Sequence, residues 1–146
     1  MKTSIIITIL IALLDQIIKF VIDKKVLFVE IIPQLFNIHK VYNYGVAFSF
    51  LENKRYLILL FSIILIYFLF NLRKDLPKAK KYDILFGVIL GGILGNLIDR
   101  VFRGYVIDYL ETFILGINFP IFNLADICIT LGIILMILMI TGGQKK

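Results

Sequence analysis

Four runs of about twenty mostly apolar residues, approximately Ser4–Ile22, Tyr56–Leu72, Tyr82–Phe102 and Ile121–Thr141, leave this chain few ways to fold. A helix of that length spans the ~30 Å hydrocarbon core of a bilayer, and lipid leaves no backbone polar group free to go unpaired. The expected fold class is therefore an all-α integral membrane protein: four transmembrane helices with a small strand-containing exoplasmic loop region. Four spans use up most of 146 residues, so 1–146 reads as one four-span membrane domain without a soluble module. The 60% hydrophobic content and mean hydropathy of +0.97 agree, since soluble domains are nearer half apolar. No internal repeat, low-complexity tract or Gly/Ser linker interrupts the pattern. The start "MKTSIIITILIALL" resembles a secretory signal, but "DQIIKF" follows where a small-residue cleavage site belongs, so an uncleaved first span is expected over a removed signal peptide.

Charge placement gives an orientation. The segment "RKDLPKAKK", Arg73 to Lys81, packs five of the sixteen Lys/Arg into one short loop. With Lys2 and the Lys145–Lys146 tail it makes one side densely positive, and that side is expected to be cytoplasmic. Both termini then lie inside, and the loops Asp23–Arg55 and Gly104–Pro120 lie outside. The long first outer loop also carries basic residues, which weakens the raw count. A net charge of +6 spread in this way fits phospholipid headgroups and argues against a nucleic-acid partner.

Polar residues inside the spans gather at one depth. Asp15 and Lys19, at i,i+4 spacing, lie toward the outer end of the first span. Asn96, Asp99 and Arg100 lie at the outer end of the third, and Asp126 one or two turns below the start of the fourth. A carboxylate at the bilayer centre costs roughly 2.5–3.5 kcal/mol, so ionisable residues in spans are functional candidates by default. Ion pairs serving only helix association would scatter in depth, whereas convergence on the outer leaflet points to a site. Gly87, Gly91 and Gly95 form a small-xxx-small stripe, read as close packing against a neighbouring span. "HKVYNYGVAFSF" alternates around Gly45 and could form a strand or hairpin at the interface.

Elimination narrows the chemistry. His39 is the only histidine, which excludes a two-His zinc site, and the lone Cys128 allows neither a disulfide nor a thiolate cluster. No metal or other cofactor is expected. His39 reads as an interfacial loop residue, and a dyad of Ser49 with Lys40 or Lys54 lacks support from spacing. What remains is carboxylates: two Asp held together cannot both ionise, so one keeps a proton while the other acts as base. Asp126 also has a purely structural reading, as a first-turn acid of a helix capped by Asn123. Asp108 on its own reads equally as a solvated loop acid. Asp99 reads as an ion-pair member, and Asp15 with Lys19 as a buried pair tying the first span to the polar cluster.

The motifs "DQIIK" (Asp15–Lys19), "NYGVAFS" (Asn43–Ser49), "GGILGNLIDR" (Gly91–Arg100), "GYVIDY" (Gly104–Tyr109) and "FPIFNLAD" (Phe119–Asp126) resemble, in order and spacing, those of the lipoprotein signal peptidase (signal peptidase II) family. The resemblance implies a bacterial inner-membrane aspartic endopeptidase with both termini cytoplasmic. Such an enzyme cleaves prolipoproteins just before a diacylglyceryl-modified Cys. It further implies that the catalytic aspartates fall on Asp108 and Asp126. Substrate- and inhibitor-lining residues fall on Asn43, Asn96, Arg100 and Asn123, with Asp15 and Lys19 as supports. The antibiotic globomycin is the implied inhibitor. Val46 and Ile93 are bulkier than the Ala usual at those positions, which bears on pocket shape. Two other functions stay open on the residues alone: a proton-coupled transporter relaying through Asp15, Asp99 and Asp126, and a non-enzymatic helper subunit.

Overall fold

The computed structural model describes residues 2–45, 54–114 and 117–143. The apolar runs form four α-helices: α1 (Lys2–Lys25), α2 (Arg55–Asp75), α3 (Lys80–Phe102) and α4 (Leu124–Gly143). All four are long and apolar enough to cross a membrane, and the protein is a multi-pass membrane protein. On α1, Ile5, Ile6, Ile9, Leu10 and Leu13 are each more than half exposed, which is the face that lipid covers. Val46, Ser49 and the Lys145–Lys146 tail, named in the sequence reading, lie outside the described residues.

Helix α3 is the hub because its glycines let two neighbours come close. A Cβ on Gly87 would sit 2.7 Å from the Ser4 carbonyl oxygen, one on Gly91 2.7 Å from Ile11 Cβ, and one on Gly95 2.6 Å from Asp15 Oδ2, all on α1. Gly92 faces the other way, its Cβ position 2.6 Å from the Ala125 carbonyl oxygen on α4. The stripe therefore packs against a neighbouring span, as its spacing implies, while the adjacent glycine seats a second one. Away from the polar layer, Tyr82, Phe86, Ile89 and Ile93 of α3 form a core with Leu69 of α2 and Met136 of α4.

A four-stranded antiparallel sheet, β1 (Phe28–Ile32), β2 (Phe36–Asn43), β3 (Val106–Ile114) and β4 (Ile117–Asn118), fills the two connections on the side of the polar layer. The strand expected in "HKVYNYGVAFSF" is realised over His39–Asn43 as the end of β2, while its residues 46–50 lie outside the described residues. The β1–β2 hairpin turns at Pro33–Leu35, with Gln34 in the left-handed region at φ 58°. The connection over Gly104–Pro120 carries the long strand β3, in keeping with the expected strand-containing loop region, because Gly104, at φ 87°, ends α3 and turns the chain back into the sheet. β2 pairs with β3 so that Val41 faces Asp108 and Asn43 faces Val106, with a bulge between Ile38 and Val41.

The fourth helix begins at Leu124 rather than Ile121. The residues before it are stitched to β3 instead: the Phe122 carbonyl oxygen accepts from the Tyr109 and Leu110 N–H groups at 3.1 and 2.8 Å, and Phe122 N–H donates to Leu110 at 3.1 Å. One consequence is testable. Gly95→Ala forces a methyl against an Asp15 carboxylate that cannot move, and overpacking of this kind costs ~1–3 kcal/mol. Thermal unfolding in detergent should show that loss, whereas Gly142→Ala, with nothing within 4 Å of its Cβ position, should leave stability unchanged or slightly raised.

Candidate active site

The start of α4 is built to hold one carboxylate still. Asn123 Oδ1 accepts the Asp126 backbone N–H at 3.0 Å, and Asp126 Oδ2 accepts the Asn123 N–H at 3.1 Å, a reciprocal cap of the helix end. The two remaining N–H groups of this turn are also satisfied: Leu124 N–H donates to the Tyr109 hydroxyl at 3.2 Å, and Ala125 N–H to Asp15 Oδ1 at 3.1 Å. The structural reading of Asp126 as a first-turn acid capped by Asn123 is thus realised. The same cap fixes the carboxylate's direction.

Asp108 arrives from β3 and is 3% exposed. Its Oδ2 accepts from Asn43 Nδ2 at 2.8 Å, across the β2–β3 ladder, and its Oδ1 from Asn123 Nδ2 at 2.6 Å. Burial, the largest influence, and the nearby Asp126 charge push the Asp108 carboxyl up to about 6 against these stabilising amides. Asp108 is therefore no solvated loop acid. The two carboxylates are joined through amides, since Asn123 also donates to Asn96 Oδ1 at 3.1 Å and Asn96 Nδ2 donates to Asp126 Oδ1 at 2.7 Å.

Both carboxylates face a cavity of about 600 Å³. Asn43, Asn96 and Arg100 add to its polar wall, and Leu65 of α2 with Ile127 and Leu131 of α4 are among its apolar lining. Arg100 sits with its guanidinium donating to the Gly45 carbonyl oxygen at 3.0 Å and to that of Asn96 at 3.4 Å, so it ties Gly45, just beyond β2, to α3. Ile93 lines the same cavity, so its bulk bears directly on pocket shape.

The remaining predicted residues lie behind this wall. Lys19 Nζ reaches Asp15 at 2.8 Å and Asp99 at 2.9 Å, and all three side chains are fully buried. Asp99 also pairs with Arg103, the residue that caps the end of α3. Gln16 went unassigned in the sequence reading, yet it donates to Asp99 Oδ1 at 3.0 Å and to the Gly95 carbonyl oxygen at 3.1 Å. Its amide at the depth of the acids was the signal available. His39 is a strand residue and not a loop residue: on β2 its Nδ1 lies 3.1 Å from Glu111 Oε1 of β3, beside Asn37 donating to Glu111 at 3.0 Å. Among the described residues no cluster of three His, Cys, Asp or Glu forms a metal-binding group.

Residues 7–141 match the family model for signal peptidase (SPase) II. A lipoprotein signal peptidase of Haemophilus ducreyi is 38% identical over 123 residues, covering 81% of this chain and 76% of that protein. A bacterial membrane enzyme solved by the in meso method at 2.3 Å superposes with a TM-score of 0.85 at 32% identity, covering 99% of this chain and 91% of that one. A second such structure, at 1.9 Å, gives 0.80 at 33% identity over 96% of this chain and 93% of its own.

The buried Asp108 carries a pH signature in stability. Its folded value lies above the ordinary 3.8, so its contribution is fully present below about pH 4 and is lost as pH rises through about 6. The gap, at ~1.4 kcal/mol per pH unit, limits the loss to ~3 kcal/mol. Melting curves of the parent and Asp108→Asn should therefore move apart in the variant's favour between about pH 4 and pH 7, and parallel curves would count against a buried, ionising Asp108.

Proposed function

We propose, from the premise that this chain belongs to the signal peptidase II family, that Asp108 and Asp126 are its catalytic pair and that its substrates are diacylglyceryl-modified prolipoproteins. The protein is an enzyme that hydrolyses signal peptides. The observation that carries the finer reading is the presence of two carboxylates, one from β3 and one from α4, on the wall of one cavity and linked through shared amides. The lipoprotein signal peptidase of Haemophilus ducreyi supplies the substrate class by similarity.

The chemistry follows from the surroundings of each acid. Asp108, whose carboxyl is pushed up to about 6 by burial and by its acidic neighbour, is the one that holds the proton. Asp126, the partner of the pair and fixed by the Asn96 amide and the Asn123 N–H, acts as the base. Asp126 takes a proton from a water that attacks the peptide carbonyl preceding the lipidated Cys, and Asp108 donates to the carbonyl oxygen. As the tetrahedral intermediate collapses, the leaving nitrogen gains a proton from Asp126, Asp108 recovers its own, and the C–N bond breaks. Asn43, Asn96, Asn123 and Arg100 orient the substrate backbone, and the apolar lining from Leu65, Ile127 and Leu131 receives signal-peptide side chains. No metal or other cofactor enters this scheme.

We place the chain in the bacterial inner membrane as one four-span unit, both termini cytoplasmic, with the site at the outer leaflet against phospholipid. Globomycin would compete for the same cavity. A proton relay through Asp15, Asp99 and Asp126 has less support, because Asp15 and Asp99 are held in closed ion pairs with Lys19. A non-enzymatic helper subunit does not fit a peptidase family.

Purified protein in detergent should cleave a diacylglyceryl-modified prolipoprotein, with Asp108→Asn and Asp126→Asn folded but slowed by ~10²–10⁴-fold or more. Full rate in either folded variant would remove the pair from the mechanism. The pH profile gives a second check. Free-enzyme kcat/KM should fall on the alkaline side of about 6 as Asp108 loses its proton. The limb in kcat should lie higher, because bound substrate excludes water and disfavours the charge further.

A further inference from the structure

Lys19 lies outside the cavity wall and has no solvent exposure, yet its hydrogen bonds lead to both acids. An ammonium has three donors and no acceptor. Here the three go to Asp15 Oδ2 at 2.8 Å, Asp99 Oδ2 at 2.9 Å and Asn96 Oδ1 at 2.8 Å. The third contact has a directional consequence. Because Lys19 can only donate, Asn96 must turn its oxygen toward it, and its NH₂ group then faces Asp126 Oδ1 at 2.7 Å.

The same constraint passes on to Asn123. Its Nδ2 donates both to the second lone pair of Asn96 Oδ1, at 3.1 Å, and to Asp108 Oδ1, at 2.6 Å, while its Oδ1 accepts the Asp126 N–H. Turning Asn96 over would set its NH₂ against the Lys19 ammonium and the Asn123 NH₂, and its oxygen against an Asp126 carboxylate oxygen. The three contacts of the Asn96 amide, to Lys19, Asn123 and Asp126, would then all be lost.

We propose that Lys19 is a positioning residue that sets the polarity of an Asn96–Asn123 amide relay, so that donors, and not acceptors, point at both Asp126 and Asp108. The inference rests on the aspartyl-pair reading but goes beyond it. It gives a residue of α1 control over how the acids of α4 and β3 are held. Asp15 and Asp99 have a narrower part, holding the ammonium in place.

Charge and relay can be separated. Asp108 feels Lys19 from α1, Arg100 from α3, Asp126 from α4 and Tyr109 from its own strand, with the neutral amides of Asn43 and Asn123 against it. Lys19 is among the influences that lower its proton affinity. Lys19→Met alone should therefore move the alkaline limb of kcat/KM upward. Lys19→Met with Asp99→Asn removes one charge of each sign, so a loss that persists there is not a net-charge effect.

The experiment measures kcat, KM and thermal unfolding for Asp99→Asn, for Lys19→Met with Asp99→Asn, and for each combined with Asn96→Ala. The relay predicts that Asp99→Asn alone, which leaves Lys19 its contacts to Asp15 and Asn96, loses less of kcat than the charge-balanced variant. The charge-balanced variant should stay folded and lose about 10–100-fold in kcat with KM little changed, the range typical of residues that orient a working group. Asn96→Ala should add little in the charge-balanced background and much in the Asp99→Asn background. Additive losses, a charge-balanced variant with parental kcat, or its failure to fold would each overturn the proposal, the last by reducing Lys19 to a structural tie. Full activity of Asp108→Asn or Asp126→Asn would instead defeat the aspartyl pair itself, a result distinguishable from any outcome for the Lys19, Asp99 and Asn96 variants.

Discussion

The buried pairing of Lys19 with Asp15 and Asp99 is the interaction on which the rest of the structure depends. It joins α1 to α3 with side chains that have no exposure at all. Breaking a buried pair by removing one partner typically costs ~3–5 kcal/mol, because the other charge is left stranded. The cluster avoids that fate by saturation. Asp15 takes Lys19 and the Ala125 N–H, Asp99 takes Lys19, Gln16 and Arg103, and Lys19 uses all its donors. Such contacts need backbones to approach closely, and this is what Gly95 provides, since any side chain there would meet Asp15.

From that anchor the site is assembled outward. Asp15 fixes the Ala125 end of α4, Lys19 fixes Asn96, and Asn96 and Asn123 fix the two acids. The sheet adds the second acid: β3, held between β2 and the segment before α4, delivers Asp108 beside Asn43 and Asn123. An antiparallel strand can hold a buried acid in place because its backbone is satisfied by neighbours on both sides. Desolvation, which makes the acids costly, is also what keeps the Asp108 proton available near pH 6.

Much of this was legible in the residues, for identifiable reasons. Lipid enforces a length and an apolarity that no loop satisfies, so the four spans could be read directly. The 15/19 pair follows from helical spacing and the 123/126 cap from the three-residue offset. The boundary error at Ile121 arose because "FPIF" is apolar enough to extend a span, while its backbone instead bonds to β3. Strand β3 was hidden because "VIDYLETFI" is buried along much of its length and so does not alternate cleanly. Helix rotation decides whether Lys19 meets Asn96, 77 residues away, and no local pattern encodes that rotation. Gln16 and Glu111 were passed over for the same reason, since their partners come from distant elements.

If Asp108 and Asp126 hold one proton between them at rest, as we propose, infrared difference spectroscopy of the purified protein should detect it. Titration should reveal a protonated-carboxyl stretch that disappears with a midpoint near about 6 and is absent from Asp108→Asn. A stretch that survives Asp108→Asn unchanged, or a parent with no protonated carboxyl at pH 5, would contradict the shared-proton pair.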